Sequence, residues 1–219
     1  MLAAHIIDAA NTAMIGPQER IKDLRHAIVH IGTLAAMRVL VAASIRDLFV
    51  SQSLRQIWNH SLVSAETASN IALLTVPEAK EEAFLAGLVC DMGRLLISLA
   101  PTYALIRLER LLQNECPTAL AEKALFRQDH AQLGAELLKE WRFHDSISEA
   151  VLWHHAPERT ASKLASILYL TEQATGSCED LPSIARFHYA CQALDISHEQ
   201  LSQINTRISA PLSALAFAV

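Results

Sequence analysis

This 219-residue chain is poor in several things that would have pointed elsewhere. Glycine (6) and proline (7) are scarce, and runs of β-branched residues are few. A multi-stranded β fold needs many tight turns, so this scarcity argues against one. The four cysteines, Cys90, Cys116, Cys178 and Cys191, lie far apart with no C-x-x-C pair. They suit reduced thiols in a cytoplasm better than a disulfide framework. No stretch is rich in Lys or Arg, and the net charge is −5. Nucleic acid, which needs clustered cations against its phosphates, is therefore an unlikely partner. No apolar run reaches the ~18–20 residues that span a bilayer, and the start, Met1-Leu2-Ala3-Ala4-His5, lacks the basic region of a signal peptide. The expectation is a cytoplasmic protein with no membrane and no nucleic-acid partner.

What is present is Ala, Leu and apolar spacing with a period near 3.6. Hydrophobic residues make up 52% of the chain, and the mean hydropathy is +0.23. This composition favours an all-α fold, read as a single compact multi-helix domain over 1–219. Helices are expected over 2–14, with Gly16-Pro17 as the stop, and along Ile21, Leu24, Ile28 and Ile31 as far as Gly32. Leu34 to Phe49 reads as a buried core helix. Ser51 or Ser53 should cap a long helix reaching about Leu74. Glu78 to Val89 opens acidic, as the helix dipole favours. A tight break at Cys90 to Gly93 precedes Arg94 to Leu99. Thr102 to Gln113 and Thr118 to Arg127 follow. Asp129 should cap His130 to Trp141, and Asp145 should cap Ser146 to His154. Ala161 to Thr175 ends at Gly176, and shorter pieces follow at about 182–194, 198–208 and 211–217. Trp58, Trp141 and Trp153 are expected in the core.

Six residues in this frame have the chemistry of metal ligands: His60, Asp91, His130, His154, His155 and Glu172. Imidazole supplies affinity for first-row ions, and carboxylate supplies charge. Helical proteins assemble such sites from several facing helices. His154 and His155 would point about 100° apart on a continuous helix, so both face one site only if the helix ends there. Each has a plainer reading. Asp91 could cap the helix near Gly93, His154-His155 could stabilise a helix C-terminus, and Cys90 could be a small buried hydrophobe. His5, His26, His30, His144, His188 and His198 read as structural or solvated.

The local words go further. Glu81-Glu82-Ala83-Phe84-Leu85-Ala86-Gly87-Leu88-Val89-Cys90-Asp91-Met92-Gly93-Arg94-Leu95-Leu96 resembles the signature of HDOD domains, relatives of the HD and HD-GYP phosphohydrolases. Ala9-Ala10-Asn11-Thr12-Ala13, Trp58-Asn59-His60-Ser61, Asp129-His130-Ala131-Gln132-Leu133-Gly134 and Ile147 to Pro157 resemble other family segments in the same order. The resemblance covers nearly the whole chain, apart from leading helices that it implies are absent here.

The resemblance implies an HD-like helical domain in which His60, Asp91, His130, His154 and His155 stand where active relatives place ligands. Glu172 falls near a final Asp ligand. Cys90 replaces the His of the His-Asp pair, and the Gly-Tyr-Pro element of cyclic-di-GMP phosphodiesterases is replaced after His155 by Ala156-Pro157-Glu158. The function so implied is a non-catalytic signalling module acting through protein contacts. Its partners would be a signalling protein and a second copy of the chain. One alternative is a metal-dependent phosphohydrolase of nucleotides or phosphoesters, with Asp91 and Arg94 as its catalytic residues. Another is a metal-binding sensor. The expected cofactor is none, or Zn, Fe or Mn at a remnant site.

Overall fold

The computed structural model describes residues 2–14, 20–49, 51–176 and 183–217, with the side chains of Gln52 and Ser53 left aside. The fold is all-α, with no strand among the described residues. In chain order the helices are α1 (Leu2–Thr12), α2 (Leu24–Ile31), α3 (Thr33–Arg46), α4 (Gln52–Thr75), α5 (Lys80–Val89), α6 (Gly93–Ile97), α7 (Thr102–Gln113), α8 (Thr118–Phe126), α9 (His130–Glu140), α10 (Asp145–Trp153), α11 (Lys163–Thr175), α12 (Ile184–Leu194), α13 (His198–Ser202) and α14 (Ala210–Ser213). Short 3-10 turns at Pro77–Ala79 and Pro157–Arg159 follow α4 and α10. Among the described residues no single helix is long and apolar enough to cross a membrane. The chain gathers into two compact units, Met1–Leu62 with Arg207–Val219, and Val63–Thr206.

In the first unit α1 packs on α2, α3 and α14. The Asn11 side chain accepts the Ile21 N–H (2.8 Å) and donates to the Ile21 carbonyl (3.0 Å), pinning the approach to α2. The expected stop at Gly16-Pro17 lies outside the described residues. Asp23 caps α2 by accepting the His26 N–H. Gly32, at φ +84°, lets α3 begin directly after α2 ends. α3 is not buried on all sides as its composition suggested. Ala36, Val39, Ala42 and Ala43 face inward, whereas Leu34, Met37 and Val41 are exposed. Residues near the C-terminus are clasped by α3 and α4. Arg46 Nε and Trp58 Nε1 both donate to the Leu215 carbonyl (2.7 and 2.9 Å). Asn59 holds both the N–H and the C=O of Phe217 (2.8 and 2.9 Å), while Arg46 and Arg55 sit over its ring.

The second unit is built for close helix approach. A Cβ on Gly87 would lie 2.6 Å from the Ser64 carbonyl oxygen, so α5 crosses the latter part of α4 with backbones nearly touching. A Cβ on Gly93 would meet the His130 carbonyl oxygen at 2.0 Å, and one on Gly134 would meet Val151. These two glycines seat α6 against α9 and α9 against α10, which brings the residues around Asp91 up to His130. α11 is buried from Leu164 to Glu172 and packs on α5, α10 and α12. Asp129 caps α9 through a full capping box with Gln132, as expected, a device that stabilises by about 1 kcal/mol. The cap of α10 is His144, whose Nδ1 accepts the Ser146 N–H, and Asp145 is the first helical residue instead. The piece expected over 198–208 is helical only for His198–Ser202. Trp58 is fully buried, but Trp141 is 42% exposed, so the aromatic expectation fails there.

Candidate functional site

Asp91, His130, His154 and Glu172 are buried polar residues of the second unit, contributed by the α5–α6 bend, α9, the end of α10 and α11. His155 is slightly exposed at its side chain (12%). α10 stops at Trp153, and His154 and His155 follow in a turn. His154 itself keeps helical backbone angles (φ −64°, ψ −22°). The rings of His154 and His155 are 3.9 Å apart between centroids, and those of His130 and His155 are 4.8 Å apart. One ligand atom from each of His130, His154 and His155 lies within 4.8 Å of the other two.

The hydrogen bonds fix which nitrogen carries a proton. His154 Nδ1 lies 2.6 Å from the Val151 carbonyl oxygen, which only accepts, so Nδ1 carries a proton. His130 Nδ1 lies 2.7 Å from Glu122 Oε2, which also accepts the His130 backbone N–H at 2.8 Å. His130 Nε2 faces His155 Nε2 at 2.8 Å, so one proton must lie between those two nitrogens. His155 Nδ1 is 3.4 Å from Glu172 Oε2, and His154 Nε2 is 3.3 Å from Glu172 Oε1. Burial opposes ionisation of Glu172 most strongly. His155 and His154 nevertheless outweigh it and hold the carboxyl well below its usual range. His154 Nε2 and Glu172 Oε2 are among the buried atoms here without a well-formed hydrogen bond.

This donor set fits a divalent ion that favours imidazole, such as zinc or iron. His130, His154 and His155 would hold it with Glu172 beside them, and it would supply Lewis acidity toward a phosphoryl oxygen. Asp91 stands differently. Its Oδ1 is 2.9 Å from Arg94 Nε and 3.7 Å from His130 Nε2, so the arginine is its nearer ionic neighbour. α6 has Met92 at its N-cap position and no side-chain cap there. Cys90 closes α5, 3% exposed, and its thiol donates to the Gly87 carbonyl at 3.2 Å. Burial, with Asp91 and Glu172 nearby, pushes that thiol well above its ordinary value, so it stays protonated. His60 lies on α4 in the first unit and is half-buried.

The family model for the HDOD domain matches residues 1–157. The chain belongs to the HDOD family. Glu172 and all of α11 lie beyond the matched residues of this HDOD domain. Solved structures share its fold. An HDOD domain protein of unknown function from Geobacter sulfurreducens superposes with a TM-score of 0.74 at 20% identity, over 98% of this chain and 77% of that one. A protein of Shewanella amazonensis SB2B, named as a candidate phosphohydrolase, gives 0.75 at 21% identity over 98% and 82%. A candidate signal transduction protein of Marinobacter aquaeolei VT8 gives 0.76 at 18% identity over 97% of this chain, which spans about half (51%) of that longer one. Among curated proteins none matches the chain.

The sequence reading missed Glu122. This glutamate is only 2% exposed, on α8, and its carboxylate sets the orientation of His130. A signal was there. Thr118, Ala121, Glu122 and Leu125 follow an i, i+3, i+4, i+7 spacing, and the first three are buried, so the charge sits on an inward stripe.

Proposed function

We propose that this HDOD domain is a regulatory module without catalysis, acting through protein contacts while keeping a degenerate metal site. The observation that carries the reading is Cys90. At the place where the resemblance puts a histidine ligand, the side chain is a buried, protonated thiol turned back onto its own helix. A thiol in that state is a poor ligand, because metals take the thiolate. Two further features support the reading. Arg94 pairs closely with Asp91, the residue that would share a metal with that histidine. Among the structures with this fold are a candidate signal transduction protein and the MmoQ response regulator of Methylococcus capsulatus.

The test is turnover of phosphomonoesters and phosphodiesters with added Mn²⁺ or Fe²⁺. The expected result is none above the level of an Asp91→Ala variant. Metal-dependent turnover lost in Asp91→Ala would overturn the reading and favour a phosphohydrolase.

A second reading has its own support. His130, His154 and His155 form a compact imidazole set, and His154 Nε2 is buried. Such a set suits a sensor that binds Zn, Fe or Mn without chemistry. It calls for about one equivalent of metal in protein purified without chelator, lost in His154→Ala. Metal-free protein whose melting temperature is unmoved by divalent ions would exclude it.

A further inference from the structure

The feature around the histidine cluster that no expectation anticipated is the buried carboxylate behind it. Glu122 Oε2 accepts two N–H groups of one residue, the backbone N–H of His130 at 2.8 Å and its ring Nδ1–H at 2.7 Å. Two bonds from one acceptor to one residue fix both the start of α9 and the rotation of the imidazole. His130 is fully buried, and Glu122 nearly so, which strengthens these bonds and shields them from competing water. The segment that bears Glu122 is anchored independently. Lys123, the next residue on α8, makes an ion pair at 2.6 Å with Asp129, the residue just before His130.

Consider His130 without that carboxylate. Its ring could carry the proton on either nitrogen. With the proton on Nε2, it would point an N–H at His155 Nε2, 2.8 Å away, and offer the cluster no lone pair. With the proton on Nδ1, Nε2 becomes an acceptor for a proton from His155 or a donor to an ion. Histidines that ligate metals usually give their other N–H to a carboxylate or carbonyl, and loss of that partner lowers metal affinity about 10–100-fold. His154 obeys the same rule by another route, through the Val151 carbonyl.

We propose that Glu122 is a positioning residue that holds His130 as the Nδ1–H tautomer, with its Nε2 lone pair presented to the histidine cluster. Its effect on metal binding rests on the sensor reading above. The tautomer itself does not. Glu122 also stands near the N-terminus of α9, where a carboxylate would stabilise the helix dipole whatever the histidine did. The experiment has to separate these roles.

The whole chain is labelled with ¹⁵N and its imidazoles are read by long-range ¹H–¹⁵N correlation in the presence of chelator. In the parent, His130 should give the pattern of an Nδ1-protonated ring. Glu122→Gln keeps the shape and an acceptor oxygen but removes the charge. It should shift His130 toward a mixture of tautomers and weaken Zn²⁺ or Co²⁺ binding tenfold or more. Gln132→Ala opens the α9 capping box but leaves the Lys123–Asp129 ion pair, and it should lower the melting temperature with the His130 pattern unchanged. A parent His130 protonated on Nε2 would overturn the proposal, and that measurement needs no variant to fold. A Glu122→Gln protein that is less stable, with tautomer and metal affinity unchanged, would also overturn it and make Glu122 a helix cap alone. No Zn²⁺ or Co²⁺ binding in a parent with the expected tautomer would end the sensor reading but leave the assignment of Glu122 standing.

Discussion

Glu172→Gln tests the centre of the cluster. Glu172 is 6% exposed and lies 3.3 and 3.4 Å from nitrogens of His154 and His155. Removing one partner of a buried ionic pair costs about 3–5 kcal/mol. Gln keeps the shape and one acceptor, so the loss should fall to about 1.5–3 kcal/mol, the value of hydrogen bonds to a charged group. At about 2–4 °C per kcal/mol for a chain of this size, the melting temperature should drop by about 3–12 °C at pH 7 in chelator. The pH dependence carries a sign. The folded-state value of Glu172 lies below the ordinary 4.5, so as pH falls the unfolded chain takes up the proton first. The stabilisation is complete above about pH 5 and is lost progressively as pH drops through the folded value. The parent should therefore lose stability in acid more steeply than Glu172→Gln, and the two curves should converge at low pH. The assay is thermal or urea unfolding by circular dichroism from pH 7 to pH 3.5. Equal stabilities at pH 7, or parallel curves, would refute an ionised Glu172 between the two histidines.

Other perturbations have expected outcomes of their own. Gly93→Ala sets a methyl 2.0 Å from the His130 carbonyl oxygen. Overpacking of about 1–3 kcal/mol or more should exceed the ~1 kcal/mol gained in helix propensity, and an unchanged urea midpoint would contradict the contact. Cys90 is buried with its thiol pushed up, so maleimide labelling read by mass spectrometry should find it protected in folded protein while Cys116, which is half-buried, reacts. Labelling of both at similar rates would count against the burial of Cys90. Asn59→Ala removes both bonds to the Phe217 backbone. Amide exchange at Phe217 should then accelerate at least tenfold, the factor that corresponds to about 1.4 kcal/mol, and an unchanged rate would show that the clasp does not hold in solution.

The parts of the fold legible in the sequence were those decided locally. Asp129 and Gln132 spell a capping box within four residues, and the structure forms it. The joint order of His60, Cys90-Asp91, His130 and His154-His155 suggested one site; His60 lies in the first unit, and the others lie with Glu172 in the second. Tertiary packing decided the rest. Whether apolar α3 is covered all round depends on neighbours, and its Leu34, Met37 and Val41 face outward. Glu122 reads locally as one charge in Ala121-Glu122-Lys123, yet the packing of α8 on α9 buries the glutamate and leaves the lysine outside. The cap of α10 went to His144 because its ring nitrogen reaches the Ser146 N–H one residue before the more familiar aspartate.

The end of α10 carries a further consequence. Ala156 is non-helical at φ −142°, ψ 61°, and Pro157 follows it at the start of a 3-10 turn. Proline disfavours helical backbone in the residue before it and cannot donate into a continuing ladder. A chemically inert side chain thus limits how far α10 can run beyond the two histidines. The chain is turned aside directly after the cluster, so a substitution at Pro157 would reshape the end of α10 beside the site without altering a single histidine.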